Sequence, residues 1–224
     1  MTNTCIIYFS RRPDEEINFK KVIPSKGLSY KVLYQLYEHG LNTIKKSGYP
    51  YLCYTEDLQS GVSFGERISN AIEDTFRFYD HIIIIGSDCP NLDINDLHQA
   101  NNQVSNFKSC IGKTYQGGTY LIGLNKETWC RSEFENLPWN TPLLAEAIQE
   151  YLSSFGDLVV LGTKAEINLE KDLLDYIQVC SKNRLWRYFK GLLKKPSTFD
   201  FSFQLRKIEI SFTSLFRGPP YTYT

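Results

Sequence analysis

The segment HIIIIG at residues 81–86 limits what this chain can fold into more than any other. Four successive isoleucines put β-branched apolar side chains on both faces of a strand, so neither face can meet water. Such a strand lies inside a sheet covered on both sides. Its flanks agree. Residues 65–79 place Ile68, Ala71, Ile72 and Phe76 on one helical face, and residues 93–104 resume a helical pattern with Leu97 and Ala100 inside. The same alternation runs along the chain. Strands are predicted at 5–9 (CIIYF), 49–54, 110–112 and 120–124, with a further buried strand at 158–161. Helices are predicted at 29–46, which carries Val32, Leu33, Leu36, Leu41 and Ile44 with Gly48 beyond it, and at 142–152. Strands alternating with helices predict an α/β domain with a largely parallel sheet.

A chain of 224 residues suits one such domain plus an appendage. With 42% hydrophobic and 22% charged residues, global disorder is excluded. The run Ile82 to Ile85 is far too short to cross a bilayer, and residues 1–12 lack the basic start and apolar stretch of an export signal. Six cysteines, Cys5, Cys53, Cys89, Cys110, Cys130 and Cys180, stand at no metal-ligand or redox-motif spacing, so reduced thiols and a cytoplasmic location are expected. The 25 basic and 25 acidic residues are unevenly placed. Residues 182–224 hold nine Lys and Arg against Asp200 and Glu209, a net charge of +7, which leaves −7 for residues 1–181.

In an open parallel sheet the ligand crevice lies beyond the carboxyl ends of the strands, so loops directly after buried strands are the first candidates. Asp88 sits two residues past Gly86. A carboxylate there can hold Mg²⁺ or Mn²⁺ through oxygen and let the metal bridge a diphosphate. It can equally cap the helix beginning near Asp93, and the residues alone leave both readings open. Gln116-Gly117-Gly118, just before TYLIGL, permits close backbone approach to a ligand, or forms a plain hairpin turn. Ser10 to Lys21 places Arg11, Arg12, Lys20 and Lys21 after the first strand, where a nucleotide's phosphates want cations, although Asp14, Glu15 and Glu16 neutralise much of that charge. Glu66 and Arg67, at a helix start, can bind a ligand or form a local ion pair, and the ion pair is the expected role. His39, His81 and His98 have no telling neighbour, and Cys89 is expected to be an inert packing residue.

Four segments, in order, resemble one family: SFGERI (63–68), IIIIGSDCPNL (82–92), GGTYLIGL (117–124) and WNTP (139–142) are similar to the DUF2064 family, glycosyltransferase-A-like proteins of the selenodomain-associated transferase 1 type. The likeness covers roughly residues 1–175. It implies a Rossmann-like three-layer α/β/α sandwich of the GT-A type, related to nucleotide-diphospho-sugar transferases and small nucleotidyltransferases, with Asp88 at a metal-bound diphosphate. The departures are equally specific. Gln116 stands where the family commonly has Asp, Asn168 replaces a carboxylate in the late acidic signature (Glu166 to Leu173), and the first-loop pattern survives only as Pro13 and then Phe19, Lys20 and Lys21.

The resemblance implies a glycosyltransferase domain at 1–181 that binds a nucleotide or nucleotide sugar, with Mg²⁺ or Mn²⁺ held by Asp88. Ser10, Arg12, Lys20, Lys21, Ser87 and Asp88 would form the nucleotide side, and Gln116, Gly117, Gly118, Trp139, Asn140 and Thr141 the acceptor side. The alternative is a catalytically weakened GT-A-fold module for nucleotide, protein or membrane binding, or a small nucleotidyltransferase. No nucleic-acid partner is expected. Residues 182–224 form a basic, aromatic extension in which Leu185, Trp186, Phe189, Leu192 and Leu193 make one helical stripe, followed by a possible hairpin in FDFSFQL and KIEISFTSL. Packing on the domain, a homodimer contact and peripheral membrane contact are the roles open to it.

Overall fold

The isoleucine run forms strand β3 (His81–Ile85), buried at all five positions. In the computed structural model, which describes residues 3–179 and 183–193, β3 lies inside a six-stranded sheet of order β2-β1-β3-β5-β4-β6. β1 (Thr4–Phe9) runs parallel to β2 (Tyr51–Tyr54) and to β3, and β4 (Ser109–Lys113) runs parallel to β6 (Leu158–Val160). β5 (Thr119–Asn125) pairs antiparallel with both of its neighbours, so it alone among these strands opposes the common direction. Residues 158–161 were expected as a buried strand. They supply the edge strand β6 instead, with Val160 49% exposed, because a short apolar run also fits an edge packed on one face.

Side-chain alternation sorts the isoleucines of β3 into two cores. Ile82 and Ile84 join Ile7, Ile72, Phe76, Ile122, Phe134 and Ile148 beneath α3 (Phe64–Phe76), α5 (Arg131–Phe134) and α6 (Leu144–Ser153). Ile83 and Ile85 join Ile6, Tyr8, Ile44, Leu97, Ala100 and Val104 beneath α2 (Lys26–Ser47) and α4 (Ile94–Ser105). The three-layer sandwich follows. A short helix, α1 (Pro13–Glu16), follows the first strand. Both helices that border β3 in sequence start at full capping boxes: Ser63 with Glu66 opens α3, and Asp93 with Asp96 opens α4.

A third cluster lies outside the sheet. Val32 and Leu36 of α2 pack with Leu173 and Tyr176 of α7 (Glu170–Val179) and with Leu185 and Phe189 of α8 (Arg184–Leu193). The buried part of the α8 stripe therefore rests on this chain's own helices. Trp186 Nε1 donates to the Ile177 carbonyl at 2.7 Å, which fixes α8 against the end of α7. Cys180, the basic residues beyond Leu193 and the expected hairpin lie outside the described residues. Among the described residues no helix is long and apolar enough to cross a membrane.

Candidate functional site

A cleft of about 600 Å³ opens beyond the carboxyl ends of β1 and β3. β1 delivers Ser10 and Arg11 to its wall, and β3 delivers Gly86, Ser87 and Asp88. The two loops are joined, because Ser10 Oγ donates to Ser87 Oγ at 2.8 Å. Reversal of β5 brings its start, Thr119 and Tyr120, to the same end of the sheet, together with Gln116 and Gly118. Further wall comes from Glu16, from Phe64 and Arg67 at the start of α3, from residues 139–142, and from the strap between β6 and α7, which supplies Glu166, Asn168 and Leu169.

Asp88 is not a helix cap, since Asp93 serves α4. Its Oδ1 accepts from Lys20 Nζ at 2.5 Å, and its carbonyl accepts from Ile167 N at 2.9 Å. The Lys20 side chain is 10% exposed against 41% for Asp88, so the ammonium supports the carboxylate from behind and the carboxylate faces the cleft. Two further carboxyls crowd this point. Burial, reinforced by the charge of Asp88, raises the Glu166 carboxyl above its ordinary range, while Thr114 and Lys20 oppose the rise. Burial and Asp88 likewise raise Glu16, which accepts from Arg11 at 3.2 Å. Gly118 makes room for Glu166, because a Cβ there would stand 2.9 Å from Glu166 Oε2.

The donor set at Asp88 does not fit a resident divalent ion. One of its oxygens is engaged by an ammonium, and among the described residues no three His, Cys, Asp or Glu side chains form a group that could hold a metal.

The structure brings Ser10, Ser87, Asp88, Gln116, Gly118, Trp139, Asn140 and Thr141 to one wall, and four of the expected residues stand off it. Arg12 is drawn away to Glu56 and Asp57, at 2.6 and 2.7 Å. Lys20 sits behind Asp88, and Lys21 is exposed outside the cleft. Gly117 serves the backbone: its φ is +88°, and a Cβ would come within 2.1 Å of the Pro142 carbonyl. Gln116 Nε2 donates to the Glu166 carbonyl at 3.2 Å, so the amide ties down the strap. Trp139 donates Nε1 to the Phe134 carbonyl and packs its ring on Phe64, 5.2 Å between centroids. Thr141 Oγ1 donates to the Pro138 carbonyl at 2.8 Å and accepts from the Leu143 amide at 3.3 Å, so the hydroxyl serves its own turn. α5, to which Trp139 is bonded through Phe134, is clamped to α3 by Arg131, which reaches Glu73, Glu135 and Asn70 at once.

Glu16 and Glu166 were not foreseen as cleft residues, and Arg67, for which ligand binding was the less expected of two roles, does line the cleft. Glu16 read as a neutraliser of its own loop, and the only signal for Glu166 was its place at the head of the acidic signature. The expected Glu66–Arg67 ion pair is absent, because Glu66 Oε2 accepts from the Val62 and Ser63 amides in its capping box. Burial pushes the Cys89 thiol up to about 12, in keeping with a packing role. The three histidines are structural: His39 meets the Leu92 carbonyl, His81 meets Asn125, and His98 meets Tyr49.

The family model for DUF2064, described as an uncharacterized protein conserved in bacteria, matches residues 52–141. That span holds SFGERI, IIIIGSDCPNL and GGTYLIGL whole and ends within WNTP. Among solved structures, the chain is similar to a protein of Desulfovibrio desulfuricans G20 named as a candidate nucleotide-diphospho-sugar transferase. The two share 19% identity at a TM-score of 0.69, over 86% of this chain and 97% of that one. At this identity the likeness is one of fold. A fainter likeness, 6% identity and a TM-score of 0.45 over 85% and 97% of the chains, is to a homolog of Mycobacterium tuberculosis Rv0371c from Mycobacterium sp. strain JC1. Another, 11% identity and a TM-score of 0.40 over 77% and 96%, is to CMP:2-keto-3-deoxy-manno-octonic acid synthetase complexed with CTP. No curated protein matches.

Proposed function

We propose that the chain is a transferase that binds a nucleotide diphospho-sugar in this cleft and passes the sugar to an acceptor hydroxyl. The observation that carries the reading is the joining of two strand-end loops, Ser10 to Ser87, in a cleft also lined by Glu166, a carboxyl whose proton affinity is raised. Serine hydroxyls and loop amides at the ends of β1 and β3 orient the diphosphate. Glu166 is the general base. As the acceptor oxygen bonds to the anomeric carbon, the bond from that carbon to the diphosphate oxygen breaks. The acceptor proton passes to Glu166, and the nucleoside diphosphate leaves with the electron pair. Asp88, held in place by Lys20 and by the Ile167 amide, faces the cleft as an acceptor for donor-sugar hydroxyls.

The test is calorimetry of the full chain against nucleoside diphosphates of each base, with and without Mn²⁺, followed by product analysis with the sugar form of any binder. One base is expected to bind, Glu166→Gln to keep binding while losing turnover, and Asp88→Asn to weaken the sugar form more than the bare diphosphate. No affinity for any nucleotide under either condition would overturn the proposal.

A further inference from the structure

The charged groups on the cleft wall are mostly committed. Arg11 donates to Glu16, Asp88 accepts from Lys20, and Asp172 accepts from the amides of Asn168 and Leu169. Arg67 differs. It lines the cleft from the first turns of α3, it makes no ion pair or hydrogen bond among the described residues, and its Nε is buried without a partner. The carboxylate beside it in sequence, Glu66, is consumed by backbone amides. The Phe64 ring lies 5.9 Å from the guanidinium and is itself packed on Phe9 and Trp139. Gly65 sets the place of this helix start, because a Cβ there would fall 2.0 Å from the Glu135 carbonyl and 3.0 Å from Trp139 Cδ1. A guanidinium held against an aromatic face with a dehydrated N–H and no carboxylate is a receptor for an oxyanion, which its planar fork matches better than a point charge would.

We infer that Arg67 receives the phosphate or carboxylate of the acceptor, so that the second substrate of the cleft is an acid. This rests on the transferase reading for the word acceptor. It assigns the anion to that side because Arg67 is packed with Phe64 against the Trp139 segment, whereas the joined serine loops and Asp88 belong to β1 and β3.

The experiment titrates inorganic phosphate and, separately, lactate into the full chain by calorimetry. Wild type, Arg67→Lys and Arg67→Gln are compared, each with and without the nucleoside diphosphate selected by the panel above. Wild type is expected to bind one of the two anions, phosphate marking a phosphorylated acceptor and lactate a carboxylic one. Arg67→Gln should weaken that binding at least about tenfold and Arg67→Lys by less, with melting temperatures unchanged. Saturating nucleotide should leave the anion affinity within about twofold. Failure of wild type to bind either anion, equal affinity in wild type and Arg67→Gln, or displacement of the anion by nucleotide would each overturn the inference. Loss of anion binding in Arg67→Gln alongside no nucleotide binding would sink the transferase reading while leaving the anion receptor in place.

Discussion

Replacing Asp88 by Asn should destabilise the fold rather than act on ligand binding alone, and the cause lies with Lys20. At 2.5 Å the two unit charges attract by about 7 kcal/mol at an effective dielectric of about 20, and much of that offsets the dehydration of an ammonium only 10% exposed. Removing the carboxylate charge keeps the dehydration cost and loses the attraction. Glu16 and Glu166 both feel the Lys20 charge and supply part of a replacement, which brings the expected loss to about 2–3 kcal/mol. For a domain of this size that corresponds to roughly 5–10 °C in Tm. Adding Lys20→Met to Asp88→Asn removes the stranded ammonium and should restore most of the loss, a coupling that a double-mutant cycle in urea measures directly. A double variant less stable than Asp88→Asn alone would refute the reasoning, since the burden would then not be the unpaired lysine.

Three other outcomes follow from the same geometry. The raised Glu166 carboxyl keeps its proton to higher pH in the folded protein than in the unfolded chain, so stability should fall as pH rises from its ordinary value of 4.5 through the raised one; Glu166→Gln should flatten that part of a urea-midpoint profile. Gly117→Ala meets both a positive φ and the Pro142 carbonyl, and should cost about 2–4 kcal/mol in chemical denaturation, whereas Gly48→Ala, at a similar φ with open space around it, should cost about 1 kcal/mol. Phe189→Ala empties a fully buried position between α2, α7 and α8 and should cost about 3–5 kcal/mol by the same assay; a loss under 1 kcal/mol would show that α8 does not depend on that contact.

The sheet and its helices were legible because their signals are local. Ile82 to Ile85 demand cover on two faces, and Ser63 and Asp93 cap helices by contacts only three residues long. The strap at 164–169 carried no such signal. It is irregular, and its placement depends on Lys164 reaching Asp96 and on Ile167 reaching the Asp88 carbonyl, contacts between residues far apart in sequence. Glu166 was therefore read only as part of a motif. The basic first loop failed for a related reason. A run of cations predicts attraction for phosphate, but whether each is already spent on Glu56, Asp57 or Asp88 is decided by elements a sequence window does not see.

The lone reversed strand also bears on the order in which the molecule assembles. β4 and β5 form a hairpin closed by a short loop, so they can pair early at little entropic cost, whereas Ile83 must find Gly123 and Ile6 must find Ile83 across long stretches of chain. The ties that shape the cleft, Lys20 to Asp88 and Ile167 to Asp88, close similarly long stretches of chain and reward it only after the central strands have met. By the same reasoning these ties are expected to release first on local opening, and hydrogen exchange at the Ile167 amide faster than at the amides of the β4–β5 hairpin would report it.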